Sequence, residues 1–283
     1  MYRVGILGTE NSHAMAFTQI FNDANSEYPD FKVTALYGLT LADSENIASK
    51  FDGITIYDSP EAMVDNVDCV MVTFRHGKYH KPAAIPFIKA GKPAFIDKPF
   101  TICKYDAMEL IETAAANNVP LSGGSGCKYS KELVELKEEI AAGKIGTLKN
   151  AVMTFAADMV SPYGGFYFYG SHLADMCVEA FGCDIKSVSA FVKNGHLSAV
   201  VRYDALDVYL SFATSYTVIA YGDKGNIFKT ISTNDIYKVE VGHFTEMVKT
   251  GVSPLSSDQL LKPVLLLNAI EESLTQGHEI FFI

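Results

Sequence analysis

The sequence predicts an α/β protein of two domains: a Rossmann-type doubly wound parallel sheet, then an α+β domain on a mainly antiparallel sheet. Three observations predict it. The chain opens on an apolar strand that ends in glycine, Val4-Gly5-Ile6-Leu7-Gly8. Strand and helix patterns then alternate through residue 122, the signature of parallel βαβ units. After Gly123-Gly124-Ser125-Gly126 the alternation stops and strands follow strands. With 283 residues the chain has room for two domains at roughly 150 residues each, expected at 1–122 and 123–283.

Residues 3–8 read as a buried strand, followed by a helix capped by Ser12 with Ala14, Phe17, Ile20 and Phe21 on one face. Strands are expected at 32–37, 54–57, 69–74 and 94–97, with a short sixth strand after Pro120. Helices are expected near 43–51, 80–90 and 106–117. On such sheets ligands sit beyond the carboxyl ends of the strands. The second domain reads as a helix at 130–142, a long strand at 147–157, an aromatic, glycine-rich loop and a helix at 171–181. Strands with turns at Asn194-Gly195 and 222–225 follow. Two helices, Ile236–Thr250 and Ser257–Gln276, and a last short strand close the chain.

Composition narrows the function classes. Hydrophobic residues at 48% and charged residues at 20% describe an ordinary globular chain. No apolar run approaches the roughly 18 residues of a membrane span. The N-terminus, MYRVGILG, reads as a strand and glycine turn rather than a signal peptide. The five cysteines (Cys69, Cys103, Cys127, Cys177 and Cys183) form no Cys-x-x-Cys pair, which favours reduced thiols in a cytoplasm. Cys177 and Cys183, near His172, match no metal-ligand spacing; they read as buried thiols, and no metal is expected. A net charge of −10 without a basic run longer than a pair argues against nucleic acid and anionic membranes as partners.

Several segments, in this order and spacing, resemble the glucose–fructose oxidoreductase/inositol dehydrogenase (Gfo/Idh/MocA) family. They are the opening strand, Val67-Asp68-Cys69-Val70-Met71-Val72-Thr73, and His80 followed by Gly91-Lys92-Pro93-Ala94-Phe95-Ile96-Asp97-Lys98-Pro99. Then come Ala142-Gly143-Lys144-Ile145-Gly146-Thr147, Gly170-Ser171-His172-Leu173-Ala174-Asp175 and the tail from Ala269 to Leu274, ending in Glu279-Ile280. The resemblance covers essentially the whole chain. It implies a dinucleotide-binding first domain, with NAD or NADP as cofactor, and a second domain for substrate binding and oligomerisation. The substrate it implies is a small molecule such as a sugar or polyol, and the assembly a homo-oligomer.

Each element of that chemistry has candidates. The pyrophosphate turn reads Gly8-Thr9-Glu10-Asn11-Ser12-His13. Only the first glycine of Gly-x-Gly-x-x-Gly survives, and Glu10 brings a carboxylate to a place that favours phosphate. Either the pattern is ungapped, or the loop is shortened and His13-Ala14 matches a family His-Ala. A capped helix without phosphate is the competing reading. Where an acid would bind the ribose, the second strand offers Gly38. Thr73, Phe74, Arg75 and His80 follow the fourth strand along the expected cofactor path.

Asp97-Lys98-Pro99 matches the family's Glu-Lys-Pro motif, and the match implies Lys98 as donor to the reacting oxygen, with Asp97 pairing with Lys98 or orienting the loop. The Asp-x-x-x-His-x-x-Asp stretch of relatives reads here with Phe168 for the first acid, then His172 and Asp175. His172 suits a proton acceptor near neutrality and Asp175 shares its helix face. Lys128 sits where relatives place an arginine, and Tyr163 and Tyr169 are weaker substrate or proton-donor candidates. These residues point to an NAD(P)-dependent oxidoreductase. The three departures at Glu10, Gly38 and Phe168 leave a redox-silent ligand-binding or regulatory relative as the alternative, and retained NAD used for elimination or hydrolysis as a third reading.

Overall fold

The computed structural model describes residues 1–282. They form two compact units, one of Met1–Gly124 with Tyr237–Leu260, the other of Ser125–Ile236 with the residues from 261 onward. The first unit is built on strands β1 (Tyr2–Leu7), β2 (Phe31–Tyr37), β3 (Thr55–Ile56), β4 (Cys69–Val72), β5 (Ala94–Ile96) and β6 (Leu121–Gly123). Their order is β3-β2-β1-β4-β5-β6, all parallel. Helices α1 (Ser12–Asn22), α2 (Leu41–Ala48), α3 (Pro60–Met63), α4 (His80–Lys89) and α5 (Lys104–Ala116) lie in the connections that parallel pairing requires. Val4, Ile6 and Leu7 of β1 and all of β4 are fully buried, which is why these strands read as continuous apolar runs. The strand order reverses between β1 and β4, so the ligand crevice lies beyond their carboxyl ends.

α1 corrects the expected cap by one residue. Asn11, extended at φ −91° and ψ 141°, is the N-cap, and its Oδ1 accepts the His13 N–H at 3.2 Å. Ser12 is the first helical residue, and Ala14, Phe17 and Phe21 form the buried face as the spacing predicts.

The second unit contains α6 (Lys131–Ala141), β7 (Leu148–Thr154), α7 (Tyr167–Phe181), β8 (Ser187–Lys193), β9 (His196–Arg202), β10 (Asp207–Ser211), β11 (Thr217–Gly222), β12 (Gly225–Thr230) and β13 (Ile280–Phe281). Its sheet runs β12-β11-β7-β10-β9-β8-β13, antiparallel except for the β7–β10 pair. Asn194 and Gly195, at φ 52° and 80°, turn β8 into β9 as the Asn-Gly signal predicts.

α7 starts at Tyr167, four residues before the expected start. Packing decides this, because Phe166, Tyr167 and Phe168 are buried and aromatic residues have modest helix propensity alone. The Tyr167 hydroxyl donates to Glu271 Oε2 at 2.7 Å and accepts from Asn268 Nδ2 at 2.9 Å.

Helix α8 (Ile236–Thr250) belongs, from Tyr237, to the first unit rather than to the one that precedes it in sequence. Val241, Phe244 and Met247 are buried in one cluster with Phe17, Phe21, Phe31 and Phe95. Helix α9 (Ser257–Gln276) then carries the chain into the second unit.

Candidate active site

In the turn after β1, Gly8 has φ +103°, and a Cβ there would lie 2.2 Å from the Phe74 amide nitrogen. Glycine is therefore required where the exits of β1 and β4 press together. Thr73 Oγ1 lies 3.2 Å from the carbonyl of Leu7 and 3.0 Å from that of Gly8 and ties the two exits. Thr9 Oγ1 is 2.9 Å from Ser44 Oγ and fills the space above Gly38, where a Cβ would come within 1.9 Å of it. Beside Gly38 lies a cavity of about 120 Å³, lined by residues including Tyr37, Thr40, Ser44 and Asp58.

Glu10 turns its carboxyl toward the β4 exit. Oε1 accepts the Arg75 N–H at 3.1 Å, and Oε2 is buried without a hydrogen-bond partner. Burial pushes this carboxyl above the usual glutamate range, against the pull of its own N–H and that of Arg75.

Below the turn is a buried polar network. Asn11 Nδ2 donates to the Thr73 carbonyl at 2.8 Å and to Asp97 Oδ2 at 3.3 Å. His13 Nδ1 lies 2.7 Å from the same Oδ2, a close electrostatic contact whose angle is not that of a linear hydrogen bond. The Lys98 N–H donates to Asp97 Oδ1 at 2.7 Å. Burial alone would raise Asp97; His13 and Lys98 outweigh it and hold the carboxyl below the usual range. Lys98, buried, is joined to Pro99 by a cis peptide. His80 is fully buried, with Nε2 2.7 Å from the Phe74 carbonyl and Nδ1 3.2 Å from that of Phe100. It pins the loop after β4 to the loop after β5, and burial lowers its pKa.

The second unit gathers a different cluster. α7 carries His172 and Asp175 about one turn apart, and the turn 126–129 brings Cys127 and Lys128 to them. Lys128 Nζ is 2.9 Å from Asp175 Oδ1, both side chains being buried. Ser125 touches both members of the His-Asp pair: its N–H donates to Asp175 Oδ2 at 3.1 Å, and its Oγ lies 2.6 Å from His172 Nδ1. Cys127 Sγ is 3.4 Å from the same nitrogen, and the Cys127 N–H donates to Ser125 Oγ at 3.1 Å. The Phe155 ring lies 4.8 Å from His172 and stacks on Tyr216. Burial raises the Asp175 pKa, opposed by Lys128 and the Ser125 N–H.

Phe168, in place of the family's first acid, packs between the rings of Tyr163 at 5.0 Å and Tyr169 at 4.9 Å. Tyr169 is half-exposed, with its ring 5.6 Å from His172.

Lys128, His172 and Asp175 thus form one cluster, a buried imidazole beside a fixed ion pair. Asn11, His13, Asp97 and the Lys98 amide form another. Asn11 is spent on capping α1 and on the network, and Thr9 on Ser44, so the backbone of the turn and the exposed Ser12 hydroxyl are what remain to meet a phosphate. Sequence reasoning missed Ser125 and Cys127. The only signal was their place in the glycine-flanked break at 123–127, which reads as a domain boundary.

The sequence model of the Gfo/Idh/MocA family, described as an oxidoreductase family with an NAD-binding Rossmann fold, matches residues 2–125. The chain is 32% identical over 130 residues to the D-xylose 1-dehydrogenase (NADP(+)) of Hypocrea jecorina, covering 45% of this chain and 33% of that protein. It is 26% identical over 157 residues to the scyllo-inositol 2-dehydrogenase (NADP(+)) of Bacillus subtilis, covering 55% and 45%. The chain thus spans less than half the length of these curated relatives. Among solved structures, the myo-inositol dehydrogenase of Lactobacillus casei in complex with NAD(H) and myo-inositol superposes with a TM-score of 0.87. It shares 14% identity and covers 100% of this chain and 97% of its own. The fold is therefore shared along the full chain, and residues 2–125 match the Gfo/Idh/MocA oxidoreductase family.

Proposed function

We propose that the protein is an NAD(P)-dependent oxidoreductase that moves hydride to or from a hydroxyl or carbonyl carbon of a sugar, polyol or related small molecule. The observation that carries this reading is the buried cluster of His172, Ser125, Asp175 and Lys128. Burying charged groups costs several kcal/mol per ion before pairing, so such clusters concentrate where chemistry uses them.

The turn at Gly8 fits a dinucleotide's phosphates. Its glycine keeps the backbone free of a Cβ, and α1 starts two residues beyond Glu10. The residues that would hold the cofactor are the backbone of 8–12, with Thr73, Phe74 and Arg75 along the β4 exit; Asn11, His13 and His80 support from behind. Bound there, NAD or NADP would supply the hydride acceptor or donor at nicotinamide C4. In the oxidising direction His172 takes the hydroxyl proton and Lys98 stabilises the negative charge that develops on the oxygen. Asp175, fixed by Lys128 and Ser125, orients the substrate's hydroxyls. Tyr163 and Tyr169 supply aromatic surface for an apolar ring face.

Titration with NADH and NADPH, followed by nicotinamide fluorescence, tests the reading, with turnover on a panel of aldoses and polyols. Saturable binding of one cofactor is expected; no binding at millimolar cofactor overturns it.

We also propose a homo-oligomer, formed in the cytoplasm. Phe228, Ile219, Val152, Tyr209 and Val200 are register partners across five adjacent strands and form one apolar row on the open face of the second sheet. Phe228 and Tyr209 are exposed. Tyr209→Glu with Phe228→Glu should reduce the mass measured by light scattering to that of one chain. An unchanged mass above one chain would place the interface elsewhere.

A further inference from the structure

We propose that Ser125 is the positioning residue that sets which nitrogen of His172 carries the proton. The proposal rests on His172 being the proton carrier. An imidazole can take a proton at Nε2 only if its neutral form keeps hydrogen on Nδ1, and the partner of Nδ1 decides this. With Phe168 where relatives have an acid, no carboxylate stands at that place on α7. Ser125 Oγ lies 2.6 Å from Nδ1. Oγ accepts the Cys127 N–H on one lone pair and has a second for an Nδ1–H.

A neutral hydroxyl also differs in kind from a carboxylate. It holds the tautomer without adding a negative charge that would keep the imidazole protonated. Cys127 Sγ from the turn 126–129 and the Tyr169 ring from its own helix lie against this imidazole, the Lys128–Asp175 ion pair stands on the same two elements, and Phe155 lies against the ring, backed by Tyr216. The same serine fixes Asp175 through its backbone N–H, which a side-chain substitution leaves in place.

The test is nitrogen NMR of the full chain, without cofactor, labelled at the histidine ring nitrogens, with His172→Gln assigning the resonance. In the wild type, neutral His172 should carry its proton on Nδ1. Ser125→Ala should shift the tautomer ratio toward Nε2–H by about fivefold to tenfold, the effect of losing one neutral hydrogen bond. Ser125→Thr should restore the wild-type ratio. If Ser125→Ala does not fold, Ser125→Cys, with a poorer acceptor, supplies the comparison. An Nε2–H tautomer in the wild type, or no change in the variant, overturns the proposal. Because no cofactor or turnover is involved, this outcome is separate from failure of the oxidoreductase reading, which the fluorescence titration reports.

Discussion

Asp97 in the first unit and Asp175 in the second are both buried, each with partners on both carboxylate oxygens, yet their acidities move in opposite directions. Burial is the largest influence on each and pushes both up. Around Asp97 stand the His13 ring and Lys98, and together they overcome burial. Around Asp175 stand one cation, Lys128, and an anion, Glu179, and burial prevails. The number and sign of the neighbouring charges, rather than the depth of burial, decide the outcome. The first arrangement suits a fixed anchor below the turn that would hold phosphate. The second holds a buried carboxyl between a single lysine and a backbone N–H, with burial prevailing.

The strongest way to break this comparison is to remove the single cation of the second cluster. Lys128→Met leaves Asp175 buried without its ion-pair partner and should cost about 3–5 kcal/mol in urea unfolding. Adding Asp175→Leu should restore most of that loss, since an apolar pair replaces the stranded charge. If Lys128→Met were nearly neutral, the pair would be behaving like a surface ion pair and the cluster would lose its significance. Gly8→Ala should follow at about 2 kcal/mol or more, from left-handed strain and overlap with the Phe74 backbone, and should weaken nicotinamide binding with it.

The aspartates also predict opposite pH slopes. Asp97 is below its unfolded value of about 3.8, so its contribution is fully present above that pH and is lost as pH falls through its folded pKa. Asp175 is above the same value, so its folded form binds a proton more tightly, and stability declines as pH rises toward its folded pKa. Unfolding measured from pH 3 to 6 should therefore lose part of its acid-side slope in Asp97→Asn. In Asp175→Asn the rise of stability with pH should steepen. Equal slopes in the two variants would remove the contrast. Asp97→Asn should also cost about 1–3 kcal/mol at neutral pH, as its buried partners lose a charged acceptor.

How much of this was legible in the sequence follows from which interactions are local. The βαβ order, the Asn194-Gly195 turn and the pairing of His172 with Asp175 on one helix are periodicities and short spacings, and they read directly. The Lys98 motif read through resemblance. The cap of α1 lies one residue before the Ser12 that the sequence predicts, because Asn11 and Ser12 are equally good caps and only the backbone angles choose between them. The helix at Tyr167 was read late because packing of Phe166 and Tyr167 overrode propensity. Three features depend on distant segments and left no local trace: α8 in the first unit's core, Ser125 against His172, and Thr9 over Gly38. The His13–Asp97 contact spans 84 residues, from the first turn of α1 to the residue after β5, and His13 reads only as part of the turn.

The smallest effect sharpens the comparison from its uncharged side. Thr9 Oγ1 and Ser44 Oγ close the place where an acid would meet a ribose, using hydroxyls alone. Thr9→Ala removes one buried hydrogen bond and should cost about 1 kcal/mol. Because neither hydroxyl titrates, the loss should be the same at pH 4 and pH 8, unlike the effects at Asp97 and Asp175. Gly38→Asp alone should be worse tolerated than Gly38→Asp with Thr9→Ala, since a Cβ at 38 would meet Thr9 Oγ1 at 1.9 Å. A double-mutant cycle in urea measures this coupling. With Thr9 cut back, the new carboxylate would repel a 2′-phosphate, so NADPH binding should weaken relative to NADH in the same fluorescence titration. Additive losses, with no change in cofactor preference, would mean that Thr9 does not guard this position, and that the missing acid reflects something other than the closed packing above Gly38.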